Sequence, residues 1–477
     1  MSQQSLHRRE RLYVDGDWRD ADDVLEVTDL ADGGTFAQVA AASPEQADEA
    51  LAAAERAQAA LRETTIPQRV AWLNEIADGL LERREELAEV VVREAGKPIS
   101  SARGEVESAA ERFRRACEEI RSLKGGFREG TTAGHEGWEA IVKHEPVGTV
   151  LAITPYNYPV STTALSVAPA MAAGNSVILK PASDTPVSAA ILAEVISELE
   201  DLPDGAFNFV PGRGSVIGDV LSGDDRIDVV SMTGSSAAGK HVAKESGMVN
   251  LHMELGGNAP AVVFPDADLG DVAGQCAKGS FKYAGQRCSA VSRILAHESV
   301  HDEVVDLLEA QMDSWQPGDL FDEDITMGPL INEGQAEWVE ELVEDAVEKG
   351  ADLVRGGERD GTTFEPTLLA NVPHDARIVH EEQFGPVAAV TTFETEEEAV
   401  EIANHGDLAL DASVFTSDYN RAMELSDELD AGAVRINGAP SHGLGDVPFG
   451  GNKASGIGRQ GLHTTIEEMV RMKSIIL

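Results

Sequence analysis

Two residues of reactive type lie in glycine-flanked segments 34 positions apart, Glu254 at the start of ELGGNAP and Cys288 in YAGQRCSAV. A thiolate can add to an aldehyde carbon. Once that carbon is oxidised to a thioester, a carboxylate can activate the water that releases the acid. Each residue alone has an ordinary alternative, since a free Cys is often a small buried hydrophobe and a Glu is usually a solvated charge. The surrounding segments must decide between these interpretations.

The segments around this pair follow an α/β pattern. From residue 148, the apolar runs TVLAIT, SVILKP, AFNFVPG and DVVSMTG alternate with predicted helices near residues 160–173, 186–200, 214–222 and 236–247. A second series follows, with VVF, SRILAH, VAAVTTF, ASVFT and GAVRIN as strands. Such alternation predicts parallel sheets, which bind ligands at the carboxyl ends of their strands.

The chain before residue 124 is predicted to be mainly helical. Residues 43–46 offer a Ser N-cap, a Pro at the first helical position and a Gln three residues after the cap. Further helices are predicted from about Pro67 to Ala95 and from about Ser100 to Leu123. The glycine-punctuated stretch after them predicts a projecting hairpin, and the closing segment EEMVRMKSIIL predicts a strand able to pair with the edge of another subunit.

Composition limits the class of protein. With 477 residues and 42% hydrophobic content, the chain is globular and too long for one ordinary core. The net charge of −46, from 38 Lys and Arg against 84 Asp and Glu, predicts a solvated surface suited to a high-salt cytosol. The alternative is an acidic patch for a basic partner. No basic stripe is present, which disfavours nucleic-acid binding.

Cysteine usage and hydropathy favour a cytoplasmic location. Cys117, Cys276 and Cys288 show no metal-ligand spacing, so neither zinc nor a disulfide framework is expected. The N-terminus has no apolar core of a secretory signal. An uncharged run from Pro146 to Leu179 is long enough to cross a bilayer, but four prolines interrupt it. A buried strand, loop, helix and strand is predicted there instead.

Glycine-rich turns mark candidate cofactor positions. MTGSSAAGK has the outline of a nucleotide-triphosphate loop, but His241 stands where a Ser or Thr would ligate magnesium. We favour a strand-to-helix turn in which Gly234 permits close approach and the amides near Ser235 meet a dinucleotide pyrophosphate. A simple helix cap is the alternative.

A second cofactor segment is LKPASDTP. Lys180 ends a predicted strand and can hold ribose hydroxyls or a 2′-phosphate, while Ser183 leaves room where an acidic side chain would repel phosphate. Arg213 is a further cation able to reach that phosphate. The ordinary alternative is a surface Lys followed by a Ser helix cap.

Taken in order, TPYNYP, LKPAS, MTGSSAAG, ELGGNAP, GQRCSA, EEQFGP and PFGGNKASGIGRQG resemble the NAD(P)-dependent, non-phosphorylating aldehyde dehydrogenase superfamily over nearly the whole chain. The resemblance implies that Cys288 is the nucleophile, Glu254 the general base and Asn157 the oxyanion donor. It implies that NADP, NAD or both are bound, and Ser183 favours NADP. The implied cofactor positions are Thr154, Pro155, Lys180, Ser183, Arg213, Gly234, Ser235, Glu382 and Phe384.

The substrate is predicted to be a small aldehyde, either anionic or neutral. Arg287 and the string GRGSVIGD resemble the branch that oxidises glyceraldehyde 3-phosphate, although His442 stands where that branch tends to carry Arg. Semialdehyde and lactaldehyde dehydrogenases remain alternatives. Tyr158 is a further candidate at the substrate, and no metal is expected. Arg287 has the alternative of a structural salt bridge.

The resemblance also implies an organisation of two Rossmann-type parallel-sheet domains and a β arm. Residues 1–123 and 145–255 are the predicted cofactor domain, 256–447 the catalytic domain, and 124–144 with 466–477 the arm of a homodimer or homotetramer. Two other functions stay open. One is acyl transfer to coenzyme A, which Glu254 disfavours, and the other is a catalytically idle cofactor-binding relative.

Overall fold

The computed structural model describes residues 8–477, and α-helices surround its sheets. The helices are α1 (Pro44–Glu63), α2 (Ile66–Glu82), α3 (Arg84–Ala95), α4 (Ile99–Ser122), α5 (Ser161–Ala173), α6 (Val187–Ser197), α7 (Asp219–Ser222), α8 (Ser236–Glu245), α9 (Leu269–Phe281), α10 (His301–Gln311), α11 (Glu333–Glu348), α12 (Glu396–Asn404), α13 (Tyr419–Glu428) and α14 (Leu462–Glu468).

The strands are short, and those at the centres of the two large sheets are buried on both faces. They are β1 (Arg8–Glu10), β2 (Leu12–Val14), β3 (Asp17–Arg19), β4 (Asp23–Thr28), β5 (Thr35–Ala41), β6 (Gly126–Glu129), β7 (Glu139–Pro146), β8 (Thr149–Ile153), β9 (Ser176–Lys180), β10 (Phe207–Phe209), β11 (Val229–Thr233), β12 (Asn250–Glu254), β13 (Ala259–Val263), β14 (Val291–His297), β15 (Asp352–Arg355), β16 (Arg359–Asp360), β17 (Thr363–Phe364), β18 (Thr367–Ala370), β19 (Val387–Phe393), β20 (Leu408–Ala409), β21 (Asp411–Phe415), β22 (Ala433–Ile436), β23 (Asn452–Lys453), β24 (Gly456–Ile457) and β25 (Val470–Ile476).

Two large sheets carry the predicted α/β pattern. The first has the order β24-β12-β11-β8-β9-β10-β2-β3, and its strands from β12 to β10 are parallel. The second has the order β15-β18-β19-β14-β13-β21-β22 and is parallel apart from β15. The carboxyl ends of parallel strands share one edge of a sheet, so the segments after β8, β9, β11 and β12 lie together. The α/β prediction is confirmed.

The helical predictions hold with one correction. The Ser43 side chain accepts from the Gln46 N–H, and the Gln46 side chain accepts from the Ser43 N–H, which confirms the predicted capping box of α1. The single helix predicted from about Pro67 to Ala95 is wrong, because the chain leaves helical geometry at Arg83 and begins a new helix. No Gly or Pro marks that break. Glu85 and Glu86 in the first turn of α3 favour a helix start there.

The N-terminal region also contains strands that a mainly helical prediction missed. Strands β4 and β5 pair antiparallel, and β1 joins them in a small three-stranded sheet. In β4, exposed and buried residues alternate only briefly, which leaves a weak signal in the sequence.

The predicted hairpin forms, and the terminal strand joins it. Strands β6 and β7 pair antiparallel, and β25 pairs with β7 along its whole length, from Val470 opposite Pro146 to Ile476 opposite Ala140. The terminal strand thus finds its partner within its own chain. Pairing between subunits stays a prediction for the two outer strands, β6 and β25.

The uncharged run from Pro146 to Leu179 folds as predicted, into β8, a loop, α5 and most of β9. Within residues 8–477, no helix is long and apolar enough to cross a membrane. The domain boundaries stay predictions. The first seven residues of the predicted cofactor domain, and that part of the N-terminal signal analysis, lie outside the described residues.

Candidate active site

Cys288 follows a turn whose backbone is held in an uncommon conformation. Tyr283, Ala284 and Gly285 have φ values of 55°, 50° and 69°, so three consecutive residues lie in the left-handed region. Two non-glycine residues persist there only where their surroundings fix them, and such strain clusters at functional sites. The Tyr283 hydroxyl donates to the Ala95 carbonyl at 2.7 Å, and the Gln286 amide donates to the Pro329 carbonyl at 3.2 Å. These contacts fix the backbone just before the nucleophile candidate.

Glu254 ends β12, and the glycines after it let two loops approach each other. Gly257 lies so close to the Cys288 carbonyl that a Cβ at this position would collide with it. The Gly234 N–H, at the end of the neighbouring strand β11, donates to the Glu254 carbonyl at 3.1 Å. The ELGG segment is therefore fastened on one side to the Cys288 loop and on the other to the candidate cofactor turn.

A cavity of about 450 Å³ brings the three predicted catalytic residues together, because Cys288, Glu254 and Asn157 all line it. The Asn157 Nδ2 donates to the Gln286 carbonyl at 2.9 Å, which orients the amide toward the Cys288 loop and leaves its second N–H free. Within residues 8–477 the Cys288 backbone N–H has no acceptor. Both N–H groups are therefore free to donate at this cavity, as the predicted oxyanion role requires.

Carboxylates dominate the electrostatics around the sulfur. Burial raises the pKa of the Cys288 thiol to about 12, and the charges of Asp411, Glu254 and Glu382 act in the same direction, against Arg287. Burial also raises the pKa of Glu254 well above the ordinary carboxyl value, with a contribution from Asp411. Burial therefore disfavours the charged form of both groups.

Four cations line the same cavity, and one of them, Lys97, pairs with Glu105, which lines it as well. The other three are Arg112, Lys282 and Arg287, and we call them the cationic wall. Arg287 donates to the Ser289 hydroxyl at 3.1 Å and to the Pro440 carbonyl at 3.3 Å, and within residues 8–477 it forms no ion pair. The structural salt bridge considered for Arg287 is therefore wrong. Arg112 donates to the Ser161 carbonyl, and its buried Nε has no partner among the described residues.

Sequence reasoning missed Arg112 and Lys282. Arg112 lies on α4, far from the motifs, and no local pattern marks its direction. Lys282 precedes the Cys288 loop by six residues and could have been noticed as a second cation beside Arg287. Burial lowers the pKa of Arg112 to about 10, as expected of a cation without a carboxylate partner.

His442 and Tyr158 also line this cavity. The His442 ring stacks on Phe449 at 4.0 Å between centroids, and its Nε2 lies 2.7 Å from the buried Asp411 carboxylate. The Tyr158 ring lies over the buried Lys97 ammonium, which is 3.5 Å from its centroid and also contacts Glu105. Both side chains are thus held from behind and present fixed surfaces to the cavity.

The candidate cofactor residues lie outside this cavity, at the carboxyl edge of the first sheet. Gly234 follows β11, and Ser235 caps α8 by accepting from the Ala238 N–H at 3.3 Å. The first amides of α8 are therefore available to an anion at the helix end. Thr154 and Pro155 follow β8, and the Thr154 N–H donates to the Lys180 carbonyl at 3.1 Å. His241, the residue that argued against a nucleotide-triphosphate loop, pairs with Asp219 at 2.7 Å.

Three polar groups could meet the ribose and 2′-phosphate of a dinucleotide. Burial lowers the pKa of Lys180 to about 8, and the only acceptor of its ammonium among the described residues is the Pro181 carbonyl at 3.3 Å. The Ser183 hydroxyl donates to the Gly212 carbonyl at 3.3 Å, and Arg213 pairs with Asp23 at 3.2 Å. A buried cation with a single weak acceptor suits a ligand rich in hydroxyl or phosphate oxygens.

Glu382 and Phe384 connect this region to Cys288. The Gly257 N–H donates to Glu382 Oε1 at 2.8 Å, and burial raises the pKa of Glu382 to about 7. Phe384 has a φ of 47° and contacts the Tyr156 ring edge-on at 5.9 Å. Helix α11 holds this turn, since the Trp338 indole donates to the Glu382 carbonyl at 3.0 Å. Within residues 8–477, no cluster of metal-ligating side chains is present.

The family model described as the aldehyde dehydrogenase family matches residues 18–475. The chain therefore belongs to the aldehyde dehydrogenase family, and the enzyme class predicted from the motifs is confirmed.

Similar proteins include the NADP-dependent glyceraldehyde-3-phosphate dehydrogenase of Streptococcus equinus, 38% identical over 473 residues, with 99% of each chain covered. The lactaldehyde dehydrogenase of Methanocaldococcus jannaschii is 35% identical over 469 residues, which cover 98% of this chain and all of that one (100%). A crystal structure of the NADP-dependent glyceraldehyde-3-phosphate dehydrogenase of Bacillus halodurans complexed with NADP has a TM-score of 0.96 at 35% identity, covering 98% and 99% of the two chains. The predicted fold is confirmed by that likeness.

Proposed function

We propose that this enzyme oxidises a small anionic aldehyde to its carboxylic acid, with NADP preferred over NAD. The supporting observation is one cavity lined both by Cys288, Glu254 and Asn157 and by the cationic wall. A reactive thiol, a base and an amide donor suit aldehyde chemistry, and the cations suit a negatively charged tail.

In the first half of the reaction the Cys288 sulfur adds to the aldehyde carbon. The thiol proton must leave first, and the carboxylate form of Glu254 is a base close enough in the cavity to take it through water. The new oxyanion accepts from the Asn157 amide and the Cys288 N–H. Losing one such donor typically raises the barrier by about 3 to 4 kcal/mol.

In the second half the thiohemiacetal becomes a thioester on Cys288. When bound, NADP or NAD supplies the electron acceptor for this oxidation. Glu254 then removes a proton from water, the hydroxide adds to the thioester carbon, and the carbon–sulfur bond breaks to give the acid and the Cys288 thiolate. Because the carboxyl pKa is raised by burial, Glu254 is a stronger base than an exposed carboxylate.

The preference for NADP is supported by the environment of Lys180 and Ser183. The small Ser183 adds no negative charge beside the buried Lys180, and Arg213 lies near enough to exchange its exposed partner Asp23 for a phosphate. The relatives described above include two proteins named NADP-dependent.

The anionic substrate is supported by the cavity rather than by the relatives. Their names include a phosphorylated aldehyde and a neutral one, lactaldehyde, so the names favour neither. Arg287 and Arg112 bear charge in the cavity without a carboxylate partner among the described residues, and burying unpaired cations is unfavourable unless a ligand neutralises them.

A panel of phosphorylated, carboxylated and neutral aldehydes, each assayed with NADP and NAD at 340 nm, tests the proposal. We expect the largest kcat/KM for an anionic aldehyde with NADP, and loss of activity in Cys288→Ala. Low and high KCl are compared, because the net charge of −46 predicts better folding when repulsion is screened. Turnover only with coenzyme A would indicate acyl transfer, and cofactor binding without turnover would indicate an idle relative.

We also propose that the chain assembles as a homodimer or homotetramer through the sheet β25-β7-β6. Phe127 on β6 and Met472 and Ile476 on β25 expose large apolar side chains, and β6 and β25 leave unpaired edges. Light scattering should give a mass of two or four chains, and deletion of residues 470–477 should reduce it to one.

A further inference from the structure

A column of polar side chains lies behind Glu254, within a sheet that is otherwise apolar. Thr233 in β11 lies opposite Glu254 in β12, and Ser231 lies opposite His252. Because alternate residues of a strand face the same side, these four side chains share one face. Parallel strands buried on both faces usually carry continuous apolar residues, so a polar column here needs an explanation.

The column reaches from the candidate base to the protein surface. The buried His252 ring contacts the Glu468 carboxylate through Nδ1, and the Glu468 side chain is 34% exposed. The Ser231 hydroxyl donates to the Ser166 hydroxyl of α5 at 3.2 Å on the same face. One end of the column is therefore Glu254, and the other is a carboxylate in contact with solvent.

Four buried atoms of the column have no hydrogen-bond partner among the described residues. They are both oxygens of Glu254, Thr233 Oγ1 and His252 Nε2. The nearby Gln460 N–H is already donated to the Phe449 carbonyl at 2.6 Å. Buried polar atoms in proteins almost always have a partner, which is often an ordered water. Glu254 and Thr233 also line the substrate cavity, so water from the cavity can reach their free oxygens, and His252 Nε2 needs a partner on the same face.

Two glycines lie beside the two carboxylates. A Cβ at Gly450 would lie 2.5 Å from Glu254 Oε1 and 3.0 Å from the Gly458 carbonyl. A Cβ at Gly458 would lie 3.3 Å from Glu468 Oε1. The Arg459 side chain also reaches this space, with its Cδ 3.1 Å from a Cβ at Gly450. Its charge lowers the pKa of Glu254, and the charge of Glu468 raises it.

Thioester hydrolysis requires a path by which a proton can leave Glu254. Each turnover transfers one proton from water to Glu254, and the carboxylate must lose that proton before the next cycle. The column offers a route that does not pass the bound substrate, and it ends at a carboxylate in contact with solvent. An imidazole can accept a proton on one nitrogen and release one from the other, and His252 has Nε2 free and Nδ1 on Glu468.

We propose that the proton taken up by Glu254 leaves through this column, by water beside Thr233 to His252 and then to Glu468 and the solvent. This inference rests on the proposed role of Glu254 as the base of thioester hydrolysis. No bond to carbon changes in the transfer. One proton enters the imidazole at Nε2 as another leaves from Nδ1, and Glu468 releases it to bulk water.

The test compares Glu468→Gln with Glu467→Gln, a neighbouring carboxylate that pairs with the exposed His463. Stopped-flow absorbance follows reduced cofactor at 340 nm, and a pH indicator follows proton release in the same mixing experiment. We expect Glu468→Gln to leave the first oxidation unchanged and to slow proton release after it about tenfold or more, so that a burst of reduced cofactor appears. Glu467→Gln should behave as the unmodified enzyme.

Equal proton release in the two variants would overturn the proposal. If Glu468→Gln does not fold, the rate of the unmodified enzyme in mixtures of H₂O and D₂O decides, since a relay predicts a curved dependence on deuterium fraction and a linear one contradicts it. Failure of the proposed function would look different, because reduced cofactor would then not form with any aldehyde or would persist in Cys288→Ala.

Discussion

Charged groups of opposite sign surround the active-site cavity. At the reacting end, three carboxylates raise the pKa of the Cys288 thiol, that of Glu254 in the cavity lining and those of Asp411 and Glu382 outside it. We call these carboxylates the acidic wall. At the binding end, Arg287 and Arg112 have no carboxylate partner among the described residues. The acidic wall therefore favours the protonated form of the thiol, and the positive charges of the cationic wall are not paired with a carboxylate among the described residues.

The difference separates the two tasks of the site. A negatively charged aldehyde is attracted to the cations and is repelled by the carboxylates. These forces orient its charged end toward the cationic wall and its carbonyl end toward Cys288 before any bond forms. The carboxylates in turn keep the thiol protonated until a base and a bound substrate are in place. Specificity and reactivity can therefore be changed separately, by substitutions on different walls.

The largest effect is expected at the acidic wall, from Glu254→Gln. Because the base serves both the thiol and the hydrolytic water, removing it should lower steady-state turnover about 10²- to 10⁴-fold and should also slow the first formation of reduced cofactor. In the unmodified enzyme, activity should fall as the pH is lowered through the raised pKa of Glu254, at higher pH than for an ordinary carboxyl group. Stopped-flow measurement of the first turnover and a pH profile check both. Full turnover in Glu254→Gln would assign the base elsewhere.

The cationic wall is tested by Arg287→Met. A hydrogen bond to a charged group contributes about 1.5 to 3 kcal/mol, so KM for an anionic aldehyde should rise about 10- to 100-fold. KM for a neutral aldehyde should change little. Lys278→Met removes an equal charge outside the cavity and serves as the control. Equal changes in KM for the two aldehydes would make the role of Arg287 structural.

Most of the reacting end could be predicted from the sequence, whereas Asp411 and most of the cationic wall could not. Cys288 and Glu254 lie in glycine-containing segments whose backbones must approach each other closely. The glycines that permit this approach can be recognised in the sequence. Arg112 is a helical Arg among several, and only packing of α4 against α5 directs it into the cavity. Its importance depends on tertiary contacts that no local pattern records.

The same contrast applies to the fold. The strands of the two parallel sheets were predictable because strands buried on both faces are continuous apolar runs. The break at Arg83 was not, because it is set by acidic residues that begin α3 rather than by a Gly or Pro. The pairing of β25 with β7 joins residues more than 300 positions apart, and the sequence shows a strand there without showing its partner.

The buried Lys180 resembles the cationic wall because it has no carboxylate partner among the described residues, and its proposed ligand should respond to an added charge. Ser183→Glu places a carboxylate near the position proposed for the 2′-phosphate. Like charges repel at this distance, so kcat/KM with NADP should fall about tenfold or more while that with NAD is kept or raised. Steady-state assays with both cofactors at one aldehyde concentration check it. An unchanged ratio of the two constants would place the 2′-phosphate elsewhere.

The smallest expected effect concerns the charge of the acidic wall itself. Asp411→Asn keeps a partner for His442 but removes one negative charge, so the pKa of the Cys288 thiol should fall from its raised value of about 12. Each pKa unit changes the thiolate fraction about tenfold, and a shift of under one unit should speed alkylation by iodoacetamide several-fold at pH 8. The control is Asp407→Asn, an exposed carboxylate outside the cavity. Slower alkylation in Asp411→Asn would mean that Asp411 activates the sulfur instead of restraining it, and the contrast between the two walls would then fail.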